Sequence, residues 1–327
     1  MTSLERSWYQ PFGWSWLLLP LSLVFALLSA SRRLLFKTGV LKSHRVAAPV
    51  LVIGNISVGG TGKTPVTLWL CDYLRQQGWK PGIVSRGYGV KLQAPVLVDV
   101  QKDSPATVGD EPYLLASRSS CPVVVCPNRV AAAQFLLAHS DCNIIVSDDG
   151  LQHYALARDI EIILLDGSRG LGNGLLLPAG PLREGVWRLT QADLVMSNSV
   201  KSPLTPFTFE LQPQSARALL NEQQHLAAGT AVTLVSGIGN PRRFTRSAAQ
   251  MGYHSTASHF FADHYAFQAE DFADVAGPLL MTEKDAVKCR SFAKSDWFYL
   301  PVSARLPQAA QDVLAAKLTQ LWSRYGL

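Results

Sequence analysis

Lys63 and Thr64 carry the clearest chemical assignment in this chain. They close the run SVGGTGKT, which is Ser57, Val58, Gly59, Gly60, Thr61, Gly62, Lys63 and Thr64. A glycine-rich loop of this kind can wrap a polyphosphate with its backbone N–H groups, and a helix opening at Lys63 adds a favourable dipole. A lysine there reaches the β- and γ-phosphates of ATP, and the threonine hydroxyl holds Mg²⁺. One position departs from the G-x-x-x-x-G-K-[ST] pattern: Ser57 stands where glycine is usual. The plain alternative is a turn that happens to precede Lys-Thr. The apolar β-type run just upstream, residues 49–53, favours the phosphate loop.

Asp148 and Asp149 end a second apolar run, NIIVSDDG. In a P-loop fold an acidic residue at that place holds Mg²⁺ directly or through water. D-D-G also favours a turn by itself. Gln152 and His153 extend the stretch to DDGLQH, where the histidine orients a carboxylate, contacts substrate or is structural. Asp110 and Glu111, in VGDEP, sit where a loop becomes a helix. They either cap that helix or supply a general base for a hydroxyl attacking the γ-phosphate. His264, in FADHYAF, becomes interesting only if it faces the P-loop across a cleft and pairs with a carboxylate. Arg86 in SRGYG, and Arg183 with Glu184 in PLREG, are candidate phosphate or substrate contacts, or surface ion pairs.

The elements that position these residues read as alternating strands and helices. Strands are expected at 49–53, within 81–89 before a Gly-rich turn, at 95–99 and 122–126, over 143–150 ending in two carboxylates, and at 160–167 and 192–198. Helices are expected from Lys63 and Thr64 onward, within 108–119, which begins as a loop and becomes a helix, and over 128–139. Continuous apolar strands alternating with helices imply a parallel sheet covered on both faces. A polar, Pro- and Gln-rich interval, 201–229, reads as a junction. Beyond it, 230–327 reads as a smaller α/β domain with a strand and helix over 233–244, strands at 278–285 and 297–303, and a terminal helix over 307–324. The expected division is thus an N-terminal segment 1–45, a P-loop core 46–200, the junction and the smaller domain, which completes the cleft.

The chain has 327 residues, 48% of them hydrophobic, and a net charge of +6. That charge suits an anionic membrane surface or a phosphorylated substrate. It is not gathered into long basic blocks, so nucleic acid is not indicated. Five scattered cysteines without C-x-x-C spacing indicate neither a zinc site nor a disulfide framework. There is no N-K-x-D motif, which disfavours a GTPase.

Residues 7–31 carry no charge, and their centre, 14–30, is strongly apolar. Seventeen helical residues span roughly 25 Å, slightly less than a bilayer core of about 30 Å. Trp8, Trp14 and Trp16 suit a membrane interface, and Arg32, Arg33, Lys37, Lys42 and Arg45 follow as a basic flank. A cleaved signal peptide would export a P-loop away from ATP. A buried core helix is an alternative. A membrane anchor, spanning or lying in the interface, is the expectation, with the remainder of the chain in the cytoplasm.

GNISVGGTGKTP, SRGYG, GDEP, DDGLQH, PLREG, DHYAF and MTEKDAVK occur in that order behind the basic-flanked apolar N-terminus. In this combination the chain resembles the tetraacyldisaccharide 4′-kinase family, the lipid A 4′-kinases, from about residue 11 to 303. The resemblance implies transfer of the ATP γ-phosphate to the 4′-hydroxyl of a tetraacyl disaccharide 1-phosphate at the cytoplasmic face of the bacterial inner membrane, with ATP and Mg²⁺ and without an obligate protein partner. It also implies Lys63 and Thr64 as P-loop lysine and Mg²⁺ ligand, and Asp148 with Asp149 as the acidic pair. Asp110 would be the base and His264 its partner, supported by Glu111, Arg183 and Glu184. Gly185 departs from the R-E-P that many family members carry. Two other readings are a P-loop ATPase that drives transport with a protein partner, and a nucleotide-regulated membrane adaptor.

Overall fold

A computed structural model describes residues 2–326. In chain order its elements begin with helices α1 (Ser3–Ser7) and α2 (Leu19–Lys37), the latter preceded by a 3₁₀ turn at Trp14–Leu18. Strand β1 (Val50–Gly54) and helix α3 (Lys63–Gln76) flank the phosphate loop. Then follow β2 (Pro81–Ser85), β3 (Val96–Leu97), α4 (Pro105–Val108), α5 (Asp110–Ser119), β4 (Val123–Val125), α6 (Arg129–His139), β5 (Ile144–Asp148), β6 (Ile160–Asp166) and β7 (Leu194–Asn198). The remainder comprises β8 (Phe207–Pro213), β9 (Arg217–Ala218), β10 (Ala231–Ser236), α7 (Pro241–Gln250), β11 (His254–Phe260), β12 (Leu279–Thr282), α8 (Glu283–Cys289), β13 (Trp297–Leu300), β14 (Val302–Arg305) and α9 (Gln308–Tyr325).

These strands form a nine-stranded sheet, ordered β14-β8-β7-β6-β1-β5-β2-β4-β3, and a five-stranded sheet, ordered β11-β10-β12-β13-β9. The large sheet is parallel except at its two edge strands, β3 and β14. Every residue of β1, β2, β5 and β6 is buried, as strands covered on both faces require. β1 lies between β5 and β6, with Ile53 opposite Asp148. The phosphate loop and the acidic pair therefore leave adjacent strands at the same edge, where open parallel sheets bind ligands.

The division of the chain differs from the expected one. The interval 201–229 is not a bare junction, because β8 within it pairs with β7 in the large sheet. The apolar run 297–303 is two strands in two sheets. Pro301, which has no N–H to give a ladder, stands between β13 and β14. From there the chain returns to the first domain. On α9, Leu314, Leu318 and Leu321 pack in one core with Leu70 and Leu74 of α3, and Trp322 meets Trp79 edge-on at 4.7 Å. The second domain therefore spans β9 to β13, inserted between β8 and β14. The sequence reading missed β11, whose side chains are all exposed, so no apolar alternation marks it. All five cysteines are buried and free.

The N-terminal helix is inverted. Leu17, Leu21, Leu23, Val24, Leu27 and Leu28 are exposed, whereas Ser22 is buried. Its Oγ donates to the Leu176 carbonyl at 2.8 Å and accepts from the Ala179 N–H at 2.9 Å. Further along, Arg32 donates to the Gln152 carbonyl, Arg33 stacks 4.2 Å over Trp187, and Phe36 meets Tyr154. The polar face docks on the protein and the apolar face is left open.

Candidate active site

The loop between β1 and α3 has the geometry a phosphate cradle needs. Gly59 and Gly62 have φ of 115° and 94°, a region that favours glycine. A Cβ at Gly62 would also meet the Asn198 amide at 3.0 Å. Ser57 does not have a positive φ. It bridges to Leu182 in extended pairing and is tied by its carbonyl to the Asn55 amide, so a side chain is accommodated where glycine is usual. The Val58 N–H donates to Pro181 and the Thr61 carbonyl accepts from Asn198, which braces the loop from behind.

Lys63 Nζ lies 3.4 Å from Asn55 Oδ1 and 3.6 Å from Asp149 Oδ1. Arg183 reaches the same carboxylate at 3.3 Å. Burial pulls the Asp149 pKa upward, and Lys63 and Arg183 overcome it, so the group stays below the usual carboxylate range. Asp148 differs. Its Oδ1 accepts from Thr67 at 3.1 Å and its carbonyl from Arg129 at 2.8 Å. Burial first, then the charges of Glu111 and Asp149, push it up to about 7. Thr64 and Asp149 line the same cleft and Asp148, bonded to Thr67, adjoins Asp149 in the chain; a hydroxyl and two carboxylates are a donor set that fits Mg²⁺. That ion takes few protein oxygens and completes its shell with substrate phosphates and water. Among the described residues there is no cluster of three or more His, Cys, Asp or Glu that could hold a metal ion.

Across the cleft, Asp110 opens α5 and His264 comes from the loop after β11, held at a φ of 61°. Asp110 Oδ2 and His264 Nδ1 are 3.1 Å apart. Burial would raise Asp110, and the His264 hydrogen bond with the Lys284 charge outweighs it, bringing the carboxyl down to about 2. Lys284, at the start of α8, was not singled out in the sequence. Its Nζ is 3.0 Å from Glu111 Oε1, 3.1 Å from His264 Nε2, 3.7 Å from Asp263 and 3.9 Å from Asp110. Burial disfavours its charge, and Glu111, Asp110 and Asp263 more than restore it, so its pKa lies above the ordinary lysine value. The only sequence signal was its place in TEKD at a strand end.

Glu111, Asp149, Arg183, His264 and Lys284 line one cleft of about 380 Å³ together with residues 58–65, Tyr88 and Arg243, while Asp110 and Asp148 are buried and are not among its lining residues. A different hollow of about 460 Å³, lined by Ser43, Arg158, Asp159 and Glu161, lies outside this constellation. Arg243 of α7 spans the gap: it donates to the Gly60 carbonyl at 3.2 Å and to Asp166 at 2.8 Å. It was not foreseen either.

Other candidates sit behind the cleft. Gln152 donates to Asn55 O and Glu184 Oε2, and buried Glu184 also accepts from the Tyr154 hydroxyl. Both brace the strand end that precedes the P-loop. Burial, with Arg129 and Arg158, lowers His153 to about 4, and its Nε2 accepts the Arg129 N–H at 3.3 Å. Arg86 is exposed and does not line the cleft. Gly185 has φ −68°, which proline also adopts, and the Trp187 ring fills the space its Cβ would take. The turn therefore survives the departure.

A family model described as tetraacyldisaccharide-1-P 4′-kinase matches residues 14–319. A tetraacyldisaccharide 4′-kinase of Shewanella amazonensis is 47% identical, covering 93% of this chain and 91% of that protein. One from Idiomarina loihiensis is 47% identical with 96% and 97% covered, and one from Aeromonas salmonicida 46% identical with 97% of each covered. The crystal structure of the apo form of LpxK from Aquifex aeolicus in complex with ATP superposes with a TM-score of 0.76 at 28% identity, covering 95% of this chain and 99% of that one.

Proposed function

The chain belongs to the tetraacyldisaccharide-1-P 4′-kinase family, and from that premise we propose how its residues divide the work. The enzyme transfers the γ-phosphate of ATP to the 4′-hydroxyl of a tetraacyl disaccharide 1-phosphate in lipid A biosynthesis. The transport-ATPase reading is not favoured.

Residues 57–64 cradle the triphosphate, and Lys63 moves from Asp149 to the β- and γ-oxygens. Thr64 with Asp148 and Asp149 would hold Mg²⁺, which supplies positive charge against the phosphate oxygens. The sugar oxygen attacks phosphorus, the bond from γ-phosphorus to the bridging oxygen breaks, and ADP leaves with that electron pair. The hydroxyl proton passes to Asp110. A carboxylate with a pKa near 2 is a weak base. It suffices because a loose transition state needs little prior deprotonation, and orienting the hydroxyl matters most. His264 holds Asp110 in place, and Arg183 and Glu111 complete the charged walls. Arg86 remains a proposed contact for the acceptor's approach.

The single observation that carries this reading is the Asp110–His264 contact, formed between two domains over the P-loop cleft. Since His264, Lys284 and Arg243 belong to the inserted domain, closure of that domain over ATP assembles the site and excludes water.

The helical segment Trp14–Lys37, which contains an 18-residue stretch of mean hydropathy 1.7, is long and apolar enough to cross a bilayer. It lies instead in the interface. Ser22 and Phe36, roughly 21 Å apart at 1.5 Å per residue, both touch the globular body, which a spanning helix could not do. The exposed leucines enter the acyl layer, and the basic flank meets anionic headgroups at the cytoplasmic face. No obligate protein partner is required.

Label passing from γ-labelled ATP to the glycolipid, and lost in Lys63→Ala, tests the activity. A folded, ATP-binding protein that transfers none would restore the ATPase reading.

A further inference from the structure

We propose that Lys284 is a positioning residue that sets the tautomer of His264, and through it the orientation of Asp110, when the inserted domain closes. The inference rests on the kinase reading above and deepens it.

The argument is one of donors and acceptors. An ammonium has three donors and no acceptor. Lys284 Nζ lies 3.1 Å from His264 Nε2, so Nε2 must offer its lone pair. The ring's single proton is then on Nδ1, 3.1 Å from Asp110 Oδ2. The chain Lys284 N–H to Nε2, Nδ1–H to Asp110 runs one way only. An imidazole with its proton on Nε2 would set two donors against each other and two lone pairs at the other end. The carboxylate would then keep the Glu111 N–H bond to its Oδ1 and lose the bond at Oδ2.

The groups around this chain enforce it. Glu111 at 3.0 Å, Asp263 at 3.7 Å and Asp110 at 3.9 Å keep the lysine charged. Tyr88 packs against the imidazole at 4.6 Å between ring centres, and Lys288 salt-bridges with Asp285 rather than entering. Asp110 and Glu111 belong to the first domain, and His264, Asp263 and Lys284 to the inserted one. A neighbouring pair, Arg118 with Glu283, spans the same gap. The Lys284–His264 contact lies within the inserted domain, so that domain carries a set tautomer to the place where Asp110 and Glu111 of the first domain meet it.

The test is ¹⁵N side-chain NMR of the full-length protein in mild detergent, with His264 assigned by comparison with His264→Gln. It is paired with acceptor phosphorylation kinetics. The wild type should show Nδ1 protonated and Nε2 bare. Lys284→Met should shift His264 toward the Nε2–H form and lower kcat about 100-fold, with KM for ATP unchanged within about twofold. Lys284→Arg, which also donates, should keep the wild-type tautomer and recover kcat to within about tenfold of wild type. Nε2–H in the wild type, or an unaltered tautomer in a folded Lys284→Met, overturns the proposal. A wild type that transfers no phosphate contradicts the kinase reading, and the tautomer measurement still decides the role of Lys284.

Discussion

Asp110 and His264 are 154 positions apart in the chain, and their side chains meet at 3.1 Å between a helix of the first domain and a loop of the inserted one. His264 has a φ of 61°, which a non-glycine residue adopts at a cost. That contact joins the two domains beside the cleft.

The phosphate loop should tolerate loss of its lysine structurally and not chemically. Lys63 makes only long contacts, 3.4 Å to Asn55 and 3.6 Å to Asp149. Lys63→Ala should therefore keep its melting temperature and lose about 100- to 1000-fold in kcat. Circular dichroism together with label transfer reads both. A variant that unfolds, or one that retains more than a tenth of wild-type turnover, would contradict this account.

Asp148 gives a pH-dependent stability with a definite sign. Its folded pKa is raised to about 7, against about 3.9 for a free aspartate. Between those values the native state binds more protons than the unfolded one, so stability falls as pH rises and the cost is complete above 7. Asp148→Asn cannot ionise and keeps an oxygen for Thr67. The nucleotide-free variant should melt a few degrees above wild type at pH 8 and with it at pH 4. Equal melting at pH 8 would show that the buried charge is already compensated.

Arg243 should report on closure. It is the only described residue of the inserted domain that donates a hydrogen bond to the loop 57–64, through Gly60 O, and its other nitrogen holds Asp166. Charge-assisted hydrogen bonds contribute about 1.5–3 kcal/mol. Arg243→Ala should therefore weaken ATP binding about tenfold or more, measured by calorimetry. Unchanged affinity would separate the inserted domain from nucleotide binding.

The exposed face of α2 should govern membrane binding. Leu27→Asp with Leu28→Asp places two charges among residues that touch no protein core. The double variant should leave anionic vesicles for the supernatant in a sedimentation assay, while Ser22→Ala, on the docked face, should stay bound and lose stability. Vesicle binding that persists in the double variant would assign the surface elsewhere.

The inner strands β1, β2, β4, β5, β6 and β7 of the large sheet were legible because burial on both faces writes continuous apolar runs, as in Leu51, Val52 and Ile53, whereas β8 and β14 were not. The positions of the glycine-rich loop after β1 and of the Asp148–Asp149 pair at the end of β5 were legible because their signals are local. The insertion was not. A seven-residue apolar run split by Pro301 looks like one strand, and nothing local says that Val302 belongs to another sheet. Lys284 and Arg243 escaped for the same reason. Each is an ordinary cation on a helix, and its cross-domain partner, Glu111 or Gly60, is more than 150 positions away. Gln152, His153 and Glu184 were read from their motifs, and the fold places them behind the cleft, bonded to Asn55, Arg129 and one another.

The most direct test of the central claim compares Asp110→Asn with wild type under saturating γ-labelled ATP and tetraacyl disaccharide 1-phosphate in mild detergent. The account predicts that label in the glycolipid forms about 100-fold or more slowly, with ATP affinity retained. Transfer at near wild-type rate would keep the kinase and remove Asp110, and with it His264, from the chemistry.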